Sequence, residues 1–200
     1  MSIHQRVIDH INQLPNGEPF TNRSFQELGD RAAINKSLSR LVRQGTIVRV
    51  FRGVYVYPKK NRFVGNVRPE VRKVIEAITK ITGEIFQVHG AEALRRFKLS
   101  TQMPTQPIYY TSGSTRIIKV GNLKVKLIHA SPRKLQLADR KAGLALTALW
   151  FLGKEGLTAS HIDTICENLS SSELKELLAA DKPAWLNSLL IRHVIEERDN

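Results

Sequence analysis

The residues best suited to chemistry in this chain are cations. Arg31, Asn35, Lys36, Ser39 and Arg43 recur at spacings that a 3.6-residue helix leaves on its outer side, with Arg40 near the flank. Arg and Lys donate to guanine edges and Asn pairs with adenine, so these types on one exposed face suit a nucleic-acid groove. Arg49 and Arg52 follow in a strand-like run, where guanidinium groups would lie beside a phosphate path. Residues 23–62 hold ten Lys or Arg, with only Glu27 and Asp30 as acids, and such an excess gives salt-dependent affinity by releasing counterions. The competing reading is a solvated face on a module that contacts protein only.

Enzyme chemistry finds less to work with. A metal-dependent nuclease needs clustered carboxylates, yet the strand-rich segment 107–129 contains no Asp or Glu, and Glu84 and Glu92 are isolated. His89 and His129 lack a short metal-ligand spacing. Ser112-Gly113-Ser114 reads as a turn without the strand-turn-helix setting of a nucleophile elbow, and no Gly-rich phosphate loop occurs. The expectation is a non-enzyme without cofactor, metal or catalytic residues.

The elements that must position the cations are legible in order. Ile3, Val7, Ile8, Ile11 and Leu14 form one helical stripe, ended by Pro15-Asn16-Gly17. Asn22 or Ser24 can cap a brief helix carrying Phe25 and Leu28, stopped at Gly29. Asp30 caps a third helix over 31–44, with Ile34, Leu38, Leu41 and Val42 inward and Gly45 as its stop. The run from Ile47 through Arg52-Gly53 to Tyr57, closed by Pro58, predicts a two-strand hairpin. Helix, helix, turn, helix and hairpin within about 58 residues is the order of a winged helix-turn-helix, whose third helix enters the major groove while the hairpin forms the wing.

The polar stretch 59–69 loses periodicity, and the domain boundary is expected inside it, giving units over 1–60 and 69–200. Val71, Val74, Ile75, Ile78 and Ile81 then mark an amphipathic helix ended by Gly83. A strand over 85–88, a His89-Gly90 turn and a short helix over 91–97 precede strands at 107–111, 115–120 and 123–129, expected as a small antiparallel meander. Helices at 137–152, 170–178 and 184–197 complete the chain. The predicted class is α+β: an N-terminal winged helix-turn-helix and a C-terminal α+β domain with a small antiparallel sheet and a helical tail.

Composition sets the outer bounds. The 200 residues carry 31 Lys and Arg against 18 Asp and Glu, a net charge of +13. Residues 1–68 and 69–134 each hold 12 basic and 4 acidic residues, whereas 135–200 hold 7 and 10. A basic front and middle with a mildly acidic tail argues for localised surfaces. The lone Cys166 excludes an internal disulfide and any Cys-based zinc site within one chain. With no signal-peptide run and no stretch of the ~18 to 20 apolar residues that would cross a bilayer, a soluble cytoplasmic protein without a membrane partner is expected.

The segment from Leu38 to Pro58, LSRLVRQGTIVRVFRGVYVYP, together with FQVHGAEALRRFKL, a Pro-rich loop and IYYTSGSTR, resembles the AbiEi-type antitoxins of bacterial abortive-infection type IV toxin-antitoxin systems, in the branch grouped as DUF6088. The likeness covers roughly residues 1 to 150 in element order. It implies a winged helix that represses its own operon by binding double-stranded operator DNA, and a C-terminal domain that opposes a nucleotidyltransferase-like toxin. On this resemblance the DNA role falls to Arg31, Asn35, Lys36, Ser39, Arg43, Arg49 and Arg52. No family motif transfers the antitoxin role residue by residue. Arg95, Arg96, Lys98, Arg116, Lys119, Lys124 and Lys126 are the partner-binding candidates, and a solvated sheet face accounts for them about as well.

A transcriptional regulator whose C-terminal domain binds a ligand or dimerises would use the same winged helix, and a DNA-targeted nuclease is the enzymatic alternative. A toxin-like nucleotidyltransferase encoded next door favours the antitoxin. Metal-dependent cleavage, abolished at a named carboxylate, would favour the nuclease.

Overall fold

The computed structural model describes residues 1–61, 65–67 and 69–196, the side chains of 59–61, 65, 66 and 196 excepted. Two compact units emerge, one of residues 1–84 with 117–125, the other of residues 85–116 with 126–200. The class is α+β, as the alternation of patterns predicted.

In the first unit, Ser2 caps helix α1 (Ile3–Gln13) by accepting from the Gln5 amide at 3.2 Å. Strand β1 (Pro19–Thr21) leads into a helix over Asn22–Leu28 that is 3-10 rather than α. Neither Asn22 nor Ser24 caps it, because its cap position is Thr21, which makes no side-chain bond there. Asp30 caps helix α2 (Arg31–Arg43), its carboxylate accepting from the Ala32 and Ala33 amides at 2.9 and 3.3 Å. Ile34, Leu38 and Leu41 on α2 pack with Val7, Ile11, Phe20, Phe25, Ile47 and Tyr55 into one core.

The hairpin β2 (Val48–Phe51) and β3 (Val54–Val56) forms as predicted, and β1 adds to it to give the sheet order β1-β3-β2. Strands β4 (Lys59–Asn61) and β5 (Gly65–Val67) pair antiparallel where the sequence predicted an irregular linker, and Arg62 lies outside the described residues. The expected boundary there differs from the compact units, since helix α3 (Val71–Thr82) packs on β1 and β3. Its stripe of Val74, Ile75 and Ile78 is buried, and an amphipathic helix of this length is stable only against such a partner.

In the second unit, strand β6 (Phe86–Val88) precedes helix α4 (Gly90–Arg96), capped by His89. Strand β7 (Ile108–Thr111) follows, and β8 (Arg116–Val120) and β9 (Leu123–His129) complete the sheet order β6-β7-β9-β8, residues 117–125 of these two strands being counted with the first unit. The expected antiparallel meander is therefore corrected: β6 pairs antiparallel with β7, but β7 pairs parallel with β9, register Thr111 with His129. The reason lies in residues 112–115, which are no hairpin turn. His129 donates from Nδ1 to the Gly113 carbonyl at 2.9 Å and from its amide to Thr115 Oγ1 at 2.9 Å, so the connection arches past the end of β9.

After the short helix α5 (Pro132–Leu135), the core of this unit surrounds α6 (Lys141–Gly156), which buries Ala145, Leu146, Ala148 and Leu149 against α4 and the tail helices. It starts later than the apolar pattern suggested, because Leu137 and Asp139 take φ of 59° and 64°. Helix α7 (Ala159–Glu167) went unread, and α8 (Ser171–Ala179) and α9 (Ala184–Glu196) lie where expected, with Glu197 outside the described residues. Among the described residues no helix is long and apolar enough to cross a membrane.

Candidate nucleic-acid interface

An open cleft of about 1000 Å³ lies in the first unit between α2 and the β2–β3 hairpin. Arg31, Asn35 and Ser39 enter it from α2, at a spacing of four residues that keeps them on one edge of the helix. Arg49 and Arg52 enter from the hairpin, and Asn22, Arg23 and Gln26 from the 3-10 helix. Four guanidinium groups thus share a cleft that, among the described residues, no carboxylate lines. Such a field concentrates anions, and planar Arg forks match phosphate oxygens in pairs.

The cleft is shaped by its own hydrogen bonds. Asn22 Nδ2 donates to Asn35 Oδ1 at 3.3 Å, tying the 3-10 helix to the edge of α2. Arg23 donates from Nη1 and Nη2 to the Lys80 and Ile81 carbonyls at 3.1 and 3.3 Å, where the C-terminal end of α3 carries partial negative charge. Arg49 Nε donates to the Phe51 carbonyl at 3.4 Å, holding its side chain along the hairpin. Gly53, at φ 79°, accepts from the Asn22 amide at 3.1 Å through its carbonyl, so the hairpin tip is tied to the start of the 3-10 helix.

The expected DNA-contacting residues therefore divide. Arg31, Asn35, Ser39, Arg49 and Arg52 are brought together in the cleft. Lys36, Arg40 and Arg43 are exposed but do not line it, since they occupy a second stripe roughly 100° further round α2. Asn22, Arg23 and Gln26 were missed as site residues. The only sequence signal for them was that Arg23 opens the basic run, because their position depends on the 3-10 helix facing α2.

The partner-binding candidates are divided between the units, Lys119 and Lys124 in the first and Arg95, Arg96, Lys98, Arg116 and Lys126 in the second. Arg95 and Arg96 both bond Glu92 on α4, at 2.7 and 3.0 Å, and these guanidinium groups hold the Glu92 carboxyl below its ordinary range. Lys98 follows α4 at φ 61°. Arg116 Nη1 donates to the Ser114 carbonyl at 3.0 Å. Lys119 on β8 and Lys124 and Lys126 on β9 are exposed, alternating with the buried Ile118, Val120, Val125 and Leu127. No group of three or more His, Cys, Asp or Glu among the described residues could hold a metal ion.

No curated protein matches the chain. Its fold is similar to that in the crystal structure of RV2827C protein from Mycobacterium tuberculosis, at 13% sequence identity and a TM-score of 0.52, over 94% of this chain and 74% of that one. A model described as a family of unknown function, DUF6088, matches residues 6–177. With most of its length matched, the chain belongs to the DUF6088 family.

Proposed function

We propose that this protein is a type IV antitoxin whose first unit is a winged helix-turn-helix that binds operator DNA and represses its own operon, and whose second unit counteracts a nucleotidyltransferase-like toxin. The observation that carries the DNA reading is the carboxylate-free cleft holding Arg23, Arg31, Arg49 and Arg52 beside α2. Its chemistry suits a phosphate backbone lying between helix and hairpin, with the outward Lys36, Arg40 and Arg43 reaching base edges in the major groove. The toxin half rests on the resemblance of the segments around Leu38–Pro58 and Phe86–Leu99 to AbiEi-type antitoxins, and Lys98 and Lys126 of the second unit are exposed cations that suit an acidic partner.

The test in cells joins a reporter under the gene's own promoter to co-expression with the adjacent gene. Repression by the wild type, its relief by Arg31→Ala with Arg52→Ala, and rescue from a toxic neighbour support the proposal. Unrepressed reporter with wild-type protein would overturn the DNA role, and unrelieved toxicity would overturn the antitoxin role.

A further inference from the structure

The second unit contains a pocket of about 250 Å³, lined by Tyr110, Lys134, Leu146, Thr147, Trp150 and Phe151. Strand β7 supplies Tyr110, α5 supplies Lys134, and two successive turns of α6 supply the other four. Phe151 keeps 46% of its surface exposed, although an aromatic ring of this size ordinarily finds cover. Its place depends on Gly90: a methyl group there would lie 2.1 Å from the Phe151 Cβ, so α4 approaches α6 this closely only with glycine. That approach sets the His89 ring 5.0 Å from both the Phe151 and Tyr110 rings, behind the pocket wall.

Two cations stand over this aromatic wall, Lys134 and Arg133, the latter ion-paired through Nε with Asp181 at 2.9 Å. Lys134 Nζ stands 5.5 Å from the Trp150 ring centre and 5.9 Å from that of Tyr110, and the Arg133 guanidinium stands 5.5 Å from Trp150. Among the described residues, no carboxylate lines the pocket. Burial, with Lys126 and Lys134 nearby, holds the His89 imidazole below its ordinary pKa. A further donor adjoins Tyr110: Gln87 is its partner in the β6–β7 register, on the same sheet face, and is 6% exposed. The Gln87 Oε1 accepts from the Val88 amide at 2.9 Å, which fixes the amide orientation, and its Nε2 has no hydrogen-bond partner among the described residues.

We propose that this pocket binds a small planar aromatic anion, its ring against Tyr110, Trp150 and Phe151 and its carboxylate or phosphate at Lys134. Aromatic faces contribute stacking area, and the ammonium group favours ligands bearing negative charge over their neutral counterparts. The inference is independent of the DNA reading, which concerns the other unit.

Trp150 is a built-in reporter, and Trp185→Phe removes the other tryptophan of the chain. In that background the full-length protein is titrated with benzoate and adenosine 5′-monophosphate as anions, and with benzamide and adenosine as neutral rings. Lys134→Ala and Phe151→Ala are made in parallel, both at exposed positions and both checked by circular dichroism. The expected result is saturable quenching by at least one anion, about tenfold or more weaker with its neutral counterpart and likewise weakened by both substitutions. Which anion binds distinguishes a carboxylate from a phosphate ligand. A flat response to both anions, equal affinity for neutral and charged rings, or unchanged binding in Lys134→Ala would overturn the proposal.

Discussion

The Asn22 amide donates to the Gly53 carbonyl at 3.1 Å, fastening the tip of the β2–β3 hairpin to the start of the 3-10 helix. A methyl group at Gly53 would stand 3.0 Å from Ile81 Cδ1 and 3.3 Å from Asn22 Oδ1, at a φ of 79° that L side chains rarely adopt. The same Asn22 holds Asn35 on α2, so hairpin, 3-10 helix and α2 are registered through one residue.

Gly53→Ala should therefore cost about 1–2 kcal/mol, the penalty of a left-handed conformation in a residue with a Cβ. Urea unfolding measures it. An unchanged midpoint would mean that the hairpin tip is not held as described.

Leu38 is fully buried beneath α2, among residues from α1, the 3-10 helix and β3. Leu38→Ala should lose ~2–5 kcal/mol of stability through lost transfer energy and the cavity left behind. A neutral variant would place another face of α2 against the core.

The two exposed stripes of α2 should separate in DNA titrations. Arg31→Ala, in the cleft, should weaken binding to operator and unrelated duplex alike, lowering the salt slope by about one. Lys36→Ala or Arg43→Ala should cost about 1–3 kcal/mol on operator and relax selectivity, as loss of a base contact does. Unchanged affinity in the latter pair would remove the outward stripe from the groove.

His89 gives the pH prediction. Burial first, then Lys126 on β9 and Lys134 on α5, lower its pKa in the folded state below the ordinary 6.5, while the rings of Tyr110 and Phe151 pack against it. The unfolded chain then binds the proton more readily. Stability from this group is complete above 6.5 and is lost as pH falls from there through the folded pKa. His89→Asn retains an acceptor at the cap of α4 and removes the titration, so it should flatten the acid-side decline of the melting temperature. Identical profiles would show that His89 is not the group responsible.

Much of the first unit was legible because local signals agree there: Asp30 caps α2, its apolar stripe faces the core, and Arg52-Gly53 turns the hairpin. The cleft was half legible. Helical spacing separates exposed from buried positions on α2, but the placement of Arg23 and Asn22 requires tertiary contacts. In the second unit, the crossing of residues 112–115 past β9 depends on His129 bonds that no turn dipeptide announces. Helix α7 escaped because its capping box uses His161, whose Nδ1 takes the Thr158 amide at 3.2 Å, where Glu or Gln is the usual signal. Lys182 was equally silent: buried beyond α8, it donates to the Leu177, Leu178 and Ala180 carbonyls at 2.6 to 3.1 Å.

The most direct test of the central claim is fluorescence anisotropy of the full-length protein with its own promoter duplex and a scrambled duplex, from about 0.05 to 0.3 M salt. The outward stripe of α2 predicts tighter binding to the promoter, and the four cleft arginines predict log affinity falling linearly against log salt at a slope of about −3 to −4. Equal affinity for both duplexes, or a slope near zero, would contradict a cleft that holds operator DNA.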